Sequence, residues 1–162
     1  MITQEQLCAL MRYDPETGIF SWIKSRPGAS LVRRVGSADP TNGYIKIRVM
    51  YRPYYAHRLA WLYMTGAWPP DDIDHINRNK TDNRWANLRL ATRGQNGVNT
   101  KRRRDNTSGF KGINQLPSGR WRAVITLNGK PCHIGTFDTA EEAFSARNAL
   151  AETIYGEYYR PE

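Results

Sequence analysis

Apolar and polar residues change their spacing several times along the chain, and each change marks an element. In TQEQLCALM, Leu7, Leu10 and Met11 recur at helical spacing behind Thr3, a residue suited to cap a helix. DPETG then reads as a turn and IFSWI as a strand. GYIKIRV alternates strictly, with Ile45, Ile47 and Val49 on one face and Tyr44, Lys46 and Arg48 on the other, as a half-buried strand does. MYRP turns the chain, YYA returns it, and HRLAWLYMTG is a short apolar helix stopped by Gly66. AWPPDD is a rigid connection into DHINRNKTDNRWANLRLATRGQN, residues 74–96. Within that stretch NLRLAT resumes the alternation of a strand, and Thr92 stands where it can cap a short helix carrying Asn96.

After Asn96 the composition shifts. GVNTKRRRDNTSG has no apolar period and reads as a linker or basic arm. GFKGIN, RWRAVITL and PCHIGTF follow as three short strands separated by LPSG and NGK, and Asn128-Gly129 is a hairpin signal. TAEEAFSARNALAETIYG closes the chain as an amphipathic helix. Thr139 and Glu142 form its capping box, Ala143, Ala146, Leu150 and Ile154 one face, and Phe144 flanks that face. Such a helix needs a sheet to cover. The reading is therefore α+β, with a larger N-terminal part (residues 1–96), a basic arm (97–107) and a small C-terminal domain (108–162) of a three-stranded antiparallel sheet packed on one helix.

Charge narrows the partner. Lys and Arg number 24 against 15 Asp and Glu, a net charge of +9 that favours a polyanion, nucleic acid before an anionic membrane surface. No apolar run has the length of a membrane span, and MITQEQLCAL has no basic segment leading into an apolar one, so a secretory signal is not expected. Cys8 and Cys132 lie far apart, and neither sits in a C-x-x-C pair, so structural zinc is not expected and a reducing cytoplasm fits best.

Residues 74–96 gather a carboxylate, an imidazole and several amides. Asp74 offers the hard oxygens that magnesium or manganese prefer, and His75 beside it titrates near neutrality, as a general base should. Strand neighbours point to opposite faces, so the two converge only at a bend or strand end. An Asn carbonyl oxygen can hold the second ring nitrogen of the His, and Asn96 offers another hard ligand. Such a site suits phosphodiester hydrolysis. On spacing alone the alternative stands that Asp74, Asn77, Asn79, Asp82 and Asn83 merely make turns and caps. His57 in AHRLAW is either a helix-start His bonded to backbone or a phosphate contact, and Arg89 either touches DNA or faces solvent. Trp61, Trp68 and Trp85 are read as core or loop anchors.

IDHINRNKTDNRWANLRLAT, with AHRLAW upstream and QNGVN downstream, resembles the HNH endonuclease family in its phage and intron-encoded homing form. LMRYDPETGIFSWI and GYIKI extend the resemblance over most of residues 7–99. It implies a ββα-metal site in which His75 is the general base, Asn87 orients it, and Asp74 and Asn96 hold one divalent metal. Asn96 stands where many members of the family have His, which favours magnesium or manganese over zinc.

Between Lys101 and Arg122 seven Lys or Arg accompany a single acid, Asp105, with Phe110 and Trp121 interleaved. A small ribbon of strands can enter a major groove, where Arg reads guanine edges. SGFKGI, GRWRA and IGTFDTAEEA, at their spacing over residues 107–155, resemble the DNA-binding domain of the plant apetala and ethylene-response-factor family. The resemblance implies duplex DNA as partner, with Lys111, Arg120, Trp121 and Arg122 at the groove. Lys101, Arg102, Arg103 and Arg104 are expected to track the backbone. PCHIGTF departs from the plant pattern, since His133 replaces a usual Trp, so base preference does not carry over. The expected activity is metal-dependent hydrolysis of DNA. The alternative is a non-catalytic DNA-binding regulator with a vestigial nuclease site.

Overall fold

The computed structural model describes residues 1–23, 35–100, 105–127 and 129–161. Contacts divide the chain into two units, Met1–Leu90 and Ala91–Glu162. Both mix helices with small antiparallel sheets.

The first unit opens with α1 (Gln4–Leu10), capped by Thr3 and Gln6 in a reciprocal box. Met11, expected on this helix, instead starts β1: its N–H closes the last turn on Leu7 and its backbone is extended. It is fully buried all the same, so the apolar spacing marked burial correctly and the helix end wrongly. β1 (Met11–Asp14) and β2 (Ile19–Trp22) form an antiparallel hairpin that pairs Tyr13 with Phe20. A second sheet has the order β3 (Ser37–Ala38), β4 (Ile45–Val49), β5 (Arg52–Tyr55), and β4 shows the expected alternation, with Ile45, Ile47 and Val49 buried and Arg48 exposed. α2 (Ala56–Thr65) ends at Gly66, whose left-handed φ of +81° lets its N–H reach the Leu62 carbonyl. β6 (Asp72–His75) then pairs with β7 (Leu88–Ala91).

Leu7, Met11, Phe20, Ile47, Leu59 and Leu62 form the heart of the apolar core under these elements. At its edge the β1–β2 turn docks on the chain near Asn83. Tyr13 Oη donates to the Asn83 carbonyl at 2.7 Å, and Trp85 N–H donates to the Pro15 carbonyl at 2.9 Å. Gly18 is needed in this turn twice over. Its φ is +70°, and a Cβ there would lie 2.3 Å from the Asn83 carbonyl carbon.

In the second unit α3 (Arg93–Val98), capped by Thr92 and Gln95, packs Val98 against Ile125, Ala151 and Tyr159. β8 (Ile113–Gln115), β9 (Trp121–Leu127) and β10 (Lys130–Phe137) form an antiparallel sheet with β9 central and a bulge between His133 and Gly135. β8 is shorter than GFKGIN suggests because Gly109 and Gly112 take left-handed backbone at φ +80° and +73°. Gly129 closes the β9–β10 turn at φ +78°, while Asn128 lies outside the described residues.

α4 (Ala140–Tyr155) has the expected Thr139–Glu142 box, but its buried face is Ala140, Ala143, Arg147 and Ala151, and Ile154 is exposed. The buried Arg147 explains the rotation. Its Nε donates to the Val124 carbonyl at 3.3 Å and its Nη1 to Tyr159 Oη at 3.1 Å, so a charged residue occupies a core position that apolar spacing cannot reveal. Among the described residues no helix is long and apolar enough to cross a membrane.

Gly18→Ala is expected to destabilise the first unit by about 2–4 kcal/mol through overpacking and backbone strain. Urea unfolding read on the first unit's transition checks this; a change below about 0.5 kcal/mol, the range of an ordinary surface substitution, would contradict the docking of this turn.

Candidate active site

β6 ends in Asp74 and His75, each only 4% exposed. The chain leaves through residues 76–84 and returns by one 3-10 turn, Trp85–Asn87, into β7. Its Asx residues shape that loop. Asn77 Oδ1 accepts from Asn79 N–H, Asn79 Oδ1 from Thr81 N–H and hydroxyl, and Asp82 from the Arg84 backbone and guanidinium. The Arg84 pairing holds the Asp82 carboxyl down at about 2. Asn87 clamps the loop across its base: Oδ1 accepts Asn77 N–H at 2.9 Å, and Nδ2 donates to Asn77 Oδ1 and to the Asp82 carbonyl.

The amide that meets His75 is Asn83, 2% exposed, whose Oδ1 lies 3.2 Å from Nε2. An amide oxygen only accepts, so this contact puts the imidazole proton on Nε2 and directs the Nδ1 lone pair as the basic one. Burial pushes the His75 pKa below its ordinary value, against the opposing pull of Asn83 and Asp74, so the ring is neutral at neutral pH. Nothing in the sequence pattern separated Asn83 from the other Asx residues of the loop. The only hint was its Asn-Arg-Trp setting next to a large apolar anchor; Trp85 packs on Trp61 with ring centres 5.1 Å apart.

Asp74 is paired with Arg89, whose Nε and Nη2 donate to Oδ2 at 3.0 and 2.8 Å. Arg89 thus does not face open solvent; its side chain is 12% exposed and balances a buried carboxylate. His57, at the start of α2, is buried among aromatic rings. Tyr55 stacks on it at 5.5 Å, Tyr44 lies 4.9 Å away, and its edge meets His75 at 5.2 Å. Among the described residues its Nδ1 has no hydrogen-bond partner, and burial, with the neighbouring His75, drives its pKa down to about 3.

Asn96 lies on α3 in the second unit, with its N–H bonded to the Thr92 carbonyl. Among the described residues no group of three or more His, Cys, Asp or Glu gathers to hold a metal ion. Of the residues expected at DNA, Lys111 Nζ donates to the Val98 and Thr100 carbonyls at 2.8 and 2.7 Å, tying the segment before β8 to the end of α3. Arg120 donates to Asp138 and to the Thr136 carbonyl. Trp121 is half-buried on the helix side of the sheet with Phe110, Phe137 and Phe144. Arg122 is exposed on the opposite face, between Asn114 and Thr136. Lys101, Arg102, Arg103 and Arg104 lie outside the described residues.

A model of the HNH endonuclease family matches residues 54–98. Acanthamoeba polyphaga mimivirus has a relative named as an uncharacterized HNH endonuclease, 34% identical over 107 residues, which cover 65% of this chain and 55% of that protein. Protein 3.8 of Escherichia phage T7 is 33% identical over 101 residues, 59% of this chain and 84% of that protein. The ethylene-responsive transcription factor ERF084 of Arabidopsis thaliana is 46% identical over 52 residues, 31% of this chain and 20% of that protein. The chain therefore spans about half the mimivirus relative and a fifth of the plant one. No solved structure matches the chain.

The buried His57 makes stability depend on pH. Its folded pKa lies below that of a free His, so between about 6.5 and 3 the unfolded chain binds more protons and stability falls with pH. Urea unfolding at pH 7 and pH 5 is expected to show a loss of about 2 kcal/mol from this residue. His57→Phe should reduce that loss, and equal pH dependence in both proteins would show that burial does not depress the His57 pKa.

Proposed function

We propose, because the chain belongs to the HNH endonuclease family and carries an ethylene-response-factor-like DNA-binding domain, that it is a DNA endonuclease that hydrolyses phosphodiester bonds with one divalent cation. The observation that carries this reading is the pair Asp74–His75 buried at the end of β6, with Asn83 on His75 Nε2. His75 acts as general base: already neutral, it takes a proton from water on Nδ1 while Nε2–H stays on Asn83. Asn87 acts one step further away, holding the loop that carries Asn83.

The donor chemistry fits a hard cation. Asp74 gives a carboxylate oxygen, and magnesium or manganese is commonly held by one or two carboxylates with its other positions left to water and phosphate. Asp74 would hold the cation together with Asn96, the ligand that the family resemblance assigns; the cation would stabilise charge developing on the phosphate. Arg89 compensates the Asp74 charge; were a cation held there, it would take over that compensation and the guanidinium would become available to phosphate oxygens. The ββα-metal arrangement is what the family resemblance implies for these residues. Double-stranded DNA is the proposed substrate. In the C-terminal domain Arg122 is the base-reading candidate, because it stands exposed on the sheet face away from α4 and has no partner among the described residues. Arg120 and Lys111 steady the domain as well as adding charge. The basic run Lys101 to Arg104 is assigned to the phosphate backbone.

Plasmid cleavage with magnesium tests the assignment. His75→Ala is expected to lower the single-turnover rate by about 10²–10⁴ while leaving DNA affinity nearly intact. Asp74→Ala should abolish metal-dependent cleavage, and added metal should partly rescue Asn96→Ala. Wild-type rates in His75→Ala, or unchanged metal dependence in both ligand variants, would refute the site.

Binding isotherms at several salt concentrations separate the DNA contacts. Replacing Arg102, Arg103 and Arg104 with Ala should flatten the salt slope by up to about three units on any duplex. Arg122→Ala should cost about 1–3 kcal/mol more on a preferred site than on scrambled DNA. Equal losses on both duplexes would make Arg122 a backbone contact.

A further inference from the structure

The turn between β4 and β5 is at odds with the residues that make it. Val49 pairs with Arg52, so Met50 and Tyr51 alone form the turn, with φ of +48° and +66°. A two-residue hairpin turn left-handed at both positions is the type that selects Asn-Gly, because a Cβ is disfavoured there. Met50 and Tyr51 recover little from packing: they are 58% and 91% exposed. The ribbon behind them is firmly held. Ile47 and Val49 are buried in the core, and Tyr54 stacks on Trp68 at 5.6 Å. A stiff ribbon that presents two large apolar side chains in unfavourable backbone is a site where binding, not folding, explains the residues.

The surroundings of the tip identify the partner. Arg48 and Arg52 flank it, both exposed, and their side chains make no ion pair or hydrogen bond among the described residues. Arg48 is opposite Pro53 and Arg52 opposite Val49, so the two cations stand on opposite faces of the ribbon. No Asp or Glu occurs anywhere from Tyr44 to Arg58. Two cations straddling an apolar tip match a base step between two phosphate strands, and they do not match an apolar protein groove.

We propose that Met50 and Tyr51 form a wedge that enters a base step of duplex DNA, with Arg48 and Arg52 on the phosphates to either side. Apolar side chains inserted between base pairs unstack them and kink the duplex. The hairpin then bends the substrate as well as holding it. The proposal rests on the reading of the protein as DNA-binding, and its test does not depend on cleavage.

The probe is a closed circular plasmid relaxed by a type I topoisomerase in the presence of the full-length His75→Ala chain. A wedge unwinds the duplex, so the plasmid is expected to emerge with a lowered linking number. The decisive variant combines Met50→Asn with Tyr51→Gly in that background. It keeps both arginines and gives the turn its preferred residues, so its melting temperature should rise and its salt slope of binding should stay the same. The linking-number change should nevertheless largely disappear, and the same pair in the otherwise wild-type chain should slow cleavage about tenfold or more through misplacement of the scissile phosphate. Tyr51→Phe, which retains the ring, should behave as the parent does. An Asn-Gly variant that unwinds and cleaves like its parent overturns the wedge, as does a parent that binds the plasmid without changing its linking number. Unwinding by a wild-type chain that fails to cleave with magnesium would sink the nuclease reading and leave the wedge standing.

Discussion

Asn83 is held from three sides before its amide oxygen reaches His75. Its carbonyl accepts the Tyr13 hydroxyl, its Nδ2 donates to the Thr81 carbonyl, and its backbone closes against Gly18. The β1–β2 hairpin, some 70 residues earlier in the chain, therefore sets the direction of the imidazole. The Tyr13 phenol sits in the core against Phe20 and Tyr63, and burial raises its pKa, so it remains a neutral donor. Asn87 completes the frame by closing the loop at its base. A general base works only when its lone pair is aimed, and misplacement of about 1 Å can cost about 10²-fold in rate.

Burial does a second service here. It lowers the His75 pKa so that the ring is neutral and ready, while Arg89 keeps the buried Asp74 charge compensated. An unpaired carboxylate at that depth would be a costly uncompensated charge. The rings of Tyr44 and His57 exclude water from one side of His75, which is how a neutral imidazole is kept neutral beside a carboxylate.

Much of the scaffold was legible because it rests on local rules. Thr3, Thr92 and Thr139 cap the helices they precede, Gly66 ends α2, and β4 alternates as written. What escaped depends on distant partners. Asn83 shares its residue type with a loop full of Asx turns, and only the arrival of Tyr13 and Gly18 distinguishes it. Arg89 was read as touching DNA or facing solvent because its partner Asp74 lies 15 residues away on the neighbouring strand. Arg147 broke the apolar stripe of α4 because its charge is satisfied by a carbonyl and a phenol from other segments. The Met50–Tyr51 turn looked ordinary because sequence does not display φ. Asp74 and His75, by contrast, were visible because their chemistry and adjacency are local.

His75 is proposed as a base aimed by Asn83. The most direct measurement is the single-turnover cleavage rate of Asn83→Ala on plasmid DNA at saturating magnesium and protein. A fall of about 10- to 100-fold is expected, with DNA affinity unchanged and cooperative unfolding retained. A folded Asn83→Ala chain that cleaves at the wild-type rate would contradict it.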